Sequence, residues 1–156
     1  MYFCPKLCNV AGATIFQDLD NDNVLDPGEP FTITSSTGAF TLTNIVSSKM
    51  ASLKMISGFD IGTNSAIATS LGVPTTGSGD VVVSPVSTVA ALAQANDPDA
   101  SLSTIVDRVA TYFGVSDASL SKFDVVKDNP LVQLKSSDAT VVAAARDAFE
   151  ANQYVM

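Results

Sequence analysis

Residues 18 to 29 read DLDNDNVLDPGE, and they sit between two short runs in which apolar and polar side chains alternate. With Asp18 as position 1, side-chain oxygens fall at positions 1, 3, 5, 9 and 12, contributed by Asp18, Asp20, Asp22, Asp26 and Glu29. Val24 occupies position 7, where a loop of the EF-hand type offers a backbone carbonyl. A hard cation that takes six to eight oxygens suits this spacing, so the stretch predicts a Ca²⁺ loop. Its expected ligands are Asp18, Asp20, Asp22, the Val24 carbonyl, Asp26 directly or through a water, and Glu29 as the closing bidentate carboxylate. Leu25 at position 8 is apolar and is expected to turn back towards a core. Position 6, where such loops turn sharply on Gly, is Asn23 here, a residue that tolerates left-handed backbone angles better than most. Five carboxylates within twelve residues repel one another unless a cation joins them.

The flanks decide what kind of loop this is. Ala13 to Gln17 (ATIFQ) and Phe31 to Thr34 (FTIT) are rich in β-branched and aromatic residues, which predicts strands on both sides and no helix-loop-helix unit. Beyond Thr34, the cluster SSTG from Ser35 to Gly38 reads as a turn, and Ala39 to Thr43 (AFTLT) alternates again. Together they predict a β-hairpin. Lys49 to Ser57 is a further candidate strand, ended by Gly58. Phe59 to Gly79 has the Gly and Pro content of loops with short strands.

At Ser84-Pro85 the character changes. A serine cap followed by proline at the first helical position is a strong start signal, and Val86 to Ala95 continues it with an Ala-rich apolar run. Asn96 to Asp99 interrupts. A second helix is expected from about Leu102 to Phe113, with Leu102, Ile105, Val106, Val109 and Phe113 on one face, and Gly114 stops it. Ser116 or Asp117 is expected to cap a short turn through Leu120. The last helix is expected from Ala139 to about Asn152, burying Val141, Val142, Ala145 and Phe149. Strands first and helices after predict an α+β fold, with residues 1 to 83 forming a small antiparallel β-sandwich domain and residues 84 to 156 a helical domain.

Composition narrows the chemistry. Hydrophobic residues make up 46% of the 156 and charged residues 15%, enough for a sizeable core and too apolar for a disordered chain. Sixteen acidic residues against eight basic ones give a net charge of −8, which argues against nucleic acid or an anionic membrane as partner and suits divalent cations. No apolar run approaches the length of a membrane span, so membrane insertion is not expected. The absence of His removes histidine-based acid–base catalysis and histidine-ligated zinc. Cys4 and Cys8 leave three readings: a local disulfide, pairing with a neighbouring molecule, or two reduced thiols. An oxidising compartment favours the first, and a Cys4–Cys8 disulfide is the expectation.

The run VAGATIFQDLDNDNVLDPGEPFTITSSTGAFTL, from Val10 to Leu42, resembles a calcium-binding module of large bacterial surface proteins and adhesins. It also resembles the SdrD B-type and carboxypeptidase-regulatory-like sandwiches. The later stretches VVVSPVSTVAALAQ and VDRVATYFGVSDASLSKFDVVKDNP are similar to the helical segment that follows the sandwich in such exported proteins, so the resemblance covers residues 10 to 134. It implies a Greek-key-like β-sandwich, an extracellular or cell-surface location and a role without catalysis.

Three classes of function follow. A calcium-stabilised extracellular structural module of a surface protein, matrix fibre, surface layer or adhesin leads. Such a module associates with copies of itself or with adjacent domains of the same protein, as the low charge fraction and the apolar ends Met1-Tyr-Phe and Tyr154-Val-Met suggest. A carbohydrate- or protein-binding module without self-assembly is the alternative. No Trp is present, and Tyr2, Tyr112 and Tyr154 are scattered, with Tyr112 expected in a helix core. An enzyme is not expected: metal binding explains the carboxylates better than a glycosidase pair does, and neither Ser84 nor Ser87 has a His to activate it.

Overall fold

The structure is a computed structural model and describes residues 9–46, 52–74, 79–115 and 121–154. It is α+β, with two antiparallel sheets and, among the described residues, four helices. Strands β1 (Val10–Ala11), β5 (Phe59–Asp60) and β6 (Ser65–Ala66) form the smaller sheet, in the order β1-β5-β6. Strands β2 (Thr14–Gln17), β3 (Phe31–Ile33), β4 (Leu53–Ile56) and β7 (Leu71–Val73) form the larger, in the order β3-β2-β4-β7. Ser57 and Gly58, both with positive φ, separate β4 from β5. A Cβ at Gly58 would stand 2.7 Å from Val10 Cγ1 and 2.8 Å from Ala13 Cβ, so this close crossing of the two sheets needs glycine.

In the larger sheet β4 alternates, whereas β2 and β7 are buried at successive positions. Ile15, Met55 and Leu71 share the inner face, as the register pairs Ile15 with Met55 and Met55 with Leu71. With Val10 and Ala13 they form one buried cluster. Leu53 and Val73 instead join the larger cluster that the helices build. Strands and helices therefore share a core across Ser84.

Helix α1 (Pro85–Asn96) begins as its sequence dictates. Ser84 Oγ accepts from the Ser87 N–H at 3.1 Å while Ser87 Oγ accepts from the Ser84 N–H at 2.8 Å, a reciprocal cap with Pro85 in the first turn. Helix α2 (Leu102–Tyr112) buries Ile105, Val106, Val109 and Ala110. Helix α3 (Pro130–Gln133) was not expected, although Asn129-Pro130 repeats the logic of Ser84-Pro85: the Asn129 side chain accepts from the Leu131 N–H at 3.0 Å. Helix α4 (Ala139–Tyr154) buries Val141, Ala144, Ala145, Ala148 and Ala151. Val142 and Phe149 are only partly buried, which corrects the expected stripe: small alanines let α4 approach the core closely, and the larger side chains move to its margin.

Two further expectations are corrected. Ala39 to Thr43 forms no strand. The turn before it closes as expected, with Gly38 N–H to Ser35 O at 3.0 Å and Ser35 N–H to Ala39 O at 2.8 Å. Phe40 and Leu42 then pack against the inner-face cluster instead of lying beside β3. Partly burying two large side chains outweighs one more short ladder. Tyr112 is 82% exposed, in the last turn of α2 beyond Val109 and Ala110, the last buried positions of that helix. The expected turn from Ser116 to Leu120 lies outside the described residues.

Candidate metal centre

The loop grows directly out of the larger sheet. Gln17 N–H donates to Pro30 O at 3.0 Å and Asp18 N–H to Ser52 O at 3.1 Å, so the start of the loop is still held by strand-type bonds on both sides. Asp18 is fully buried, an expensive place for a carboxylate unless donors meet it. Its Oδ1 accepts from the Asp22 N–H at 3.2 Å and its Oδ2 from the Asn23 N–H at 3.1 Å. Those donors reach inwards because Asn21 and Asn23 adopt left-handed angles, φ 64° and 65°. Asparagine at position 6 thus makes the turn that glycine usually makes.

Asp20 Oδ1 accepts a longer bond, 3.4 Å, from the Asp22 N–H, and Asp22 Oδ1 accepts from the Val24 N–H at 2.7 Å. As a result, ligand oxygens of Asp18, Asp20 and Asp22 lie within 4.8 Å of one another, a group able to hold a metal ion. All are carboxylate oxygens, a donor set for a hard cation and not for a soft metal. Asp26 and Glu29 stand outside that group. Glu29 is buried and ties the loop's two ends: Oε1 accepts from the Leu19 N–H at 2.6 Å and Oε2 from the Asp26 N–H at 3.0 Å. Val24 is exposed and Leu25 half-buried.

Among the described residues, no ion pair offsets the loop's charge. Asp26 is exposed, yet surrounding loop atoms remove part of its water, and the charges of Asp22, Asp20, Glu29 and Asp18 add to that. Together they hold its carboxyl above the usual carboxylate range. Among the described residues, the ion pairs are Arg108–Asp97, Lys122–Asp138 and Lys127–Asp124, and none involves the loop.

Sequence reading missed Gln17. Its buried side chain makes a two-way clasp with Val46, donating from Nε2 to the Val46 carbonyl at 3.2 Å and accepting from its N–H at 2.8 Å, next to the buried Asp18. A polar residue at the end of a strand with its own alternation carries no signal of such a distant partner. Also missed was a shallow cleft of about 710 Å³ in which Tyr112 and Tyr154, both highly exposed, stand with Asp147 and Glu150. The hydroxyls of Ser84 and Ser87 are committed to the α1 cap, and Ser87 also donates to the Gly72 carbonyl at 2.8 Å. Cys4 and Cys8, and the disulfide expected between them, lie outside the described residues. No helix among the described residues is long and apolar enough to cross a membrane. Compared with protein-family models, curated proteins and solved structures, the chain matches none.

Proposed function

We propose that the chain is a calcium-stabilised structural module of an extracellular bacterial surface protein, matrix fibre, surface layer or adhesin. One observation carries the reading: three aspartate oxygens meet within 4.8 Å at the end of a strand, and no ion pair among the described residues offsets their charge. In finer terms, the loop is of the EF-hand type. It holds one Ca²⁺ through Asp18, Asp20, Asp22, the Val24 carbonyl, Asp26 and Glu29, and the two sheets are the halves of a small Greek-key-like sandwich. The ion fixes the strand geometry on either side of the loop and has no part in catalysis. The acidic balance, the Cys4/Cys8 pair and the resemblance to surface-protein modules support the location.

Titration calorimetry of the intact chain with Ca²⁺, and separately with Mg²⁺, tests this. One site per chain is expected for Ca²⁺ and weak uptake for Mg²⁺, which demands a tighter octahedron. No heat and no change in melting with either ion sinks the proposal.

A second reading, a binding module, draws on the cleft between Tyr112 and Tyr154. Exposed aromatic rings beside carboxylates are a surface type that sugars and cationic groups use. The sequence has no Trp and three Tyr, so tyrosine fluorescence under titration with oligosaccharides reports on this cleft with little background.

A further inference from the structure

The two edges of the larger sheet are treated very differently. On the β7 edge, Gly72 turns its N–H and C=O away from β4, and α1 meets both. Thr88 Oγ1 accepts from the Gly72 N–H at 2.8 Å and Ser87 Oγ donates to the Gly72 carbonyl at 2.8 Å. That edge is closed to further strands. On the β3 edge the segment expected to pair, Ala39 to Thr43, has folded away to the core.

Hydrogen-bond parity shows what this leaves. Gln17 N–H donates to Pro30 O and Thr34 N–H to Ala13 O, in the register that pairs Ile15 with Thr32. Pro30, Thr32 and Thr34 therefore face β2, while the backbone N–H and C=O of Phe31 and Ile33 point outwards. The side chains of the same two residues are 59% and 61% exposed. The strand is short, three residues, but two other usual protections, charge and an outward-facing proline, are missing from it. Pro30 to Gly38 contains no charged residue, and the missing N–H of Pro30 would face β2, so the proline does not block the outer side.

We infer that the β3 edge is a self-pairing surface, on which the β3 strand of a second copy docks antiparallel about a two-fold axis at Thr32. The strand is complementary to itself. Phe31 of one copy falls opposite Ile33 of the other, and each such pair exchanges both backbone bonds with the outward groups just described. Aromatic against β-branched on the outer face, and Thr32 against Thr32 on the other, are both favourable cross-strand pairs. Charge selects the direction. With a net charge of −8, parallel docking would stack the two acidic loops on each other, whereas antiparallel docking sets each loop beside the uncharged Ser35 to Gly38 turn of its partner. The result joins two four-stranded sheets edge to edge.

This inference rests on the reading of the chain as a structural module, with the self-association expected of one, and not on calcium. Its test is sedimentation equilibrium of the full chain over a wide concentration range, with and without saturating Ca²⁺, for the native sequence and for Ile33→Pro and Phe31→Lys. Ile33→Pro deletes a donor that the folded chain does not use, and Phe31→Lys adds an edge charge on an exposed side chain. The expected result is a doubled mass for the native chain, with dimerisation weakened about tenfold or more in both variants and their melting temperatures kept. In a Cys4→Ser/Cys8→Ser background, Thr32→Cys should cross-link to itself under mild oxidation, because non-hydrogen-bonded pairs bring Cα atoms to about 4.5 Å. A native chain that stays monomeric at every concentration overturns the inference. So does dimerisation that both variants leave intact, which keeps self-association and removes this edge from it. A calcium-dependent melting shift, read on the same samples, stands or falls separately.

Discussion

Of the turns in which carboxylates accept from backbone N–H groups, two are balanced in opposite ways. At the start of α4, Asp138 Oδ1 accepts from the Thr140 N–H at 2.8 Å, and its other oxygen accepts from Lys122 Nζ at 2.7 Å. The hydrogen bond from Lys122 and then that from Thr140 hold its carboxyl below the usual range. In the Asp18–Glu29 loop similar carboxylate-to-backbone bonds are made, but the neighbours are other carboxylates, and Asp26 is pushed the other way. One turn carries its own cation on a side chain. The other has the acceptors but, among the described residues, no ion pair, and on the proposed reading an ion from solution supplies the charge.

Calcium addition should separate the two most. Binding only the folded state stabilises by about 2.7 kcal/mol at a hundredfold excess over Kd. In a chain of this size that corresponds to roughly 5–10 °C in Tm. Scanning calorimetry should show the full shift in Asp138→Asn and none in a variant lacking Asp18, Asp20 and Asp22. An equal shift in that triple variant would place the ion elsewhere and end the comparison.

Next in size is Glu29→Ala. Glu29 ties Leu19 to Asp26 through both carboxylate oxygens, each bond contributing roughly 1.5–3 kcal/mol, and its loss also relieves repulsion among the loop carboxylates, so stability should fall by about 2 kcal/mol even under chelation. Asp20→Ala is its counterpart. Asp20 is exposed and accepts one long bond, so chelated stability should stay within about 0.5 kcal/mol while the calcium response falls. Urea melts with and without chelator read both. Identical behaviour of the two variants under chelation would remove Glu29 as the tie between the loop's ends.

The contrast between the turns also marks what a sequence can reveal. Local rules were legible: Ser84-Pro85 opens α1, the stripe of Ile105, Val106 and Val109 is buried in α2, and Asn23 makes its left-handed turn. Competition between distant surfaces was not. Ala39 to Thr43 has the alternation of a strand, but Phe40 and Leu42 gain more from the core than from pairing with β3. Tyr112 has helical spacing with buried residues, yet spacing does not say where the neighbouring layer ends. Within the loop, spacing singled out five carboxylates, and the structure brings three of them, Asp18, Asp20 and Asp22, together. Spacing could not say that Glu29 would serve as a tie between the loop's ends, because that role depends on where Leu19 and Asp26 arrive in space.

A smaller effect is expected from pH at α4. Asp138 has a folded pKa below its unfolded value, so it contributes stability above the usual carboxylate pKa, and that contribution is lost as pH falls through the folded value. Acid unfolding of Lys122→Met should begin at higher pH than that of the native chain. Coincident acid transitions would remove Lys122 as the balancing charge. The pair is about half exposed, so the difference should shrink in salt.

The smallest change is Asp26→Asn, and it is the cleanest test of crowding in the loop. The backbone of Asp26 bonds to Glu29 in both directions, N–H to Oε2 at 3.0 Å and C=O from the Glu29 N–H at 3.1 Å, and an Asn at this position keeps both bonds. Only the charge is removed. A carboxyl with a raised folded pKa favours the folded state below its unfolded pKa and loses that advantage as pH rises through the folded value. Under chelation at neutral pH, then, Asp26→Asn should be slightly more stable than the native chain. The native chain should recover the difference on mild acidification, and salt should narrow it, because repulsion involving an exposed carboxylate is screened. With saturating Ca²⁺ the order should reverse, since the carboxylate that repels its neighbours becomes one that faces the ion. Chemical melts at two pH values, each with chelator and with Ca²⁺, give the four comparisons. If the order of the two proteins is the same in both, Asp26 is a bystander at the rim, and the charge to be balanced belongs to Asp18, Asp20 and Asp22 alone.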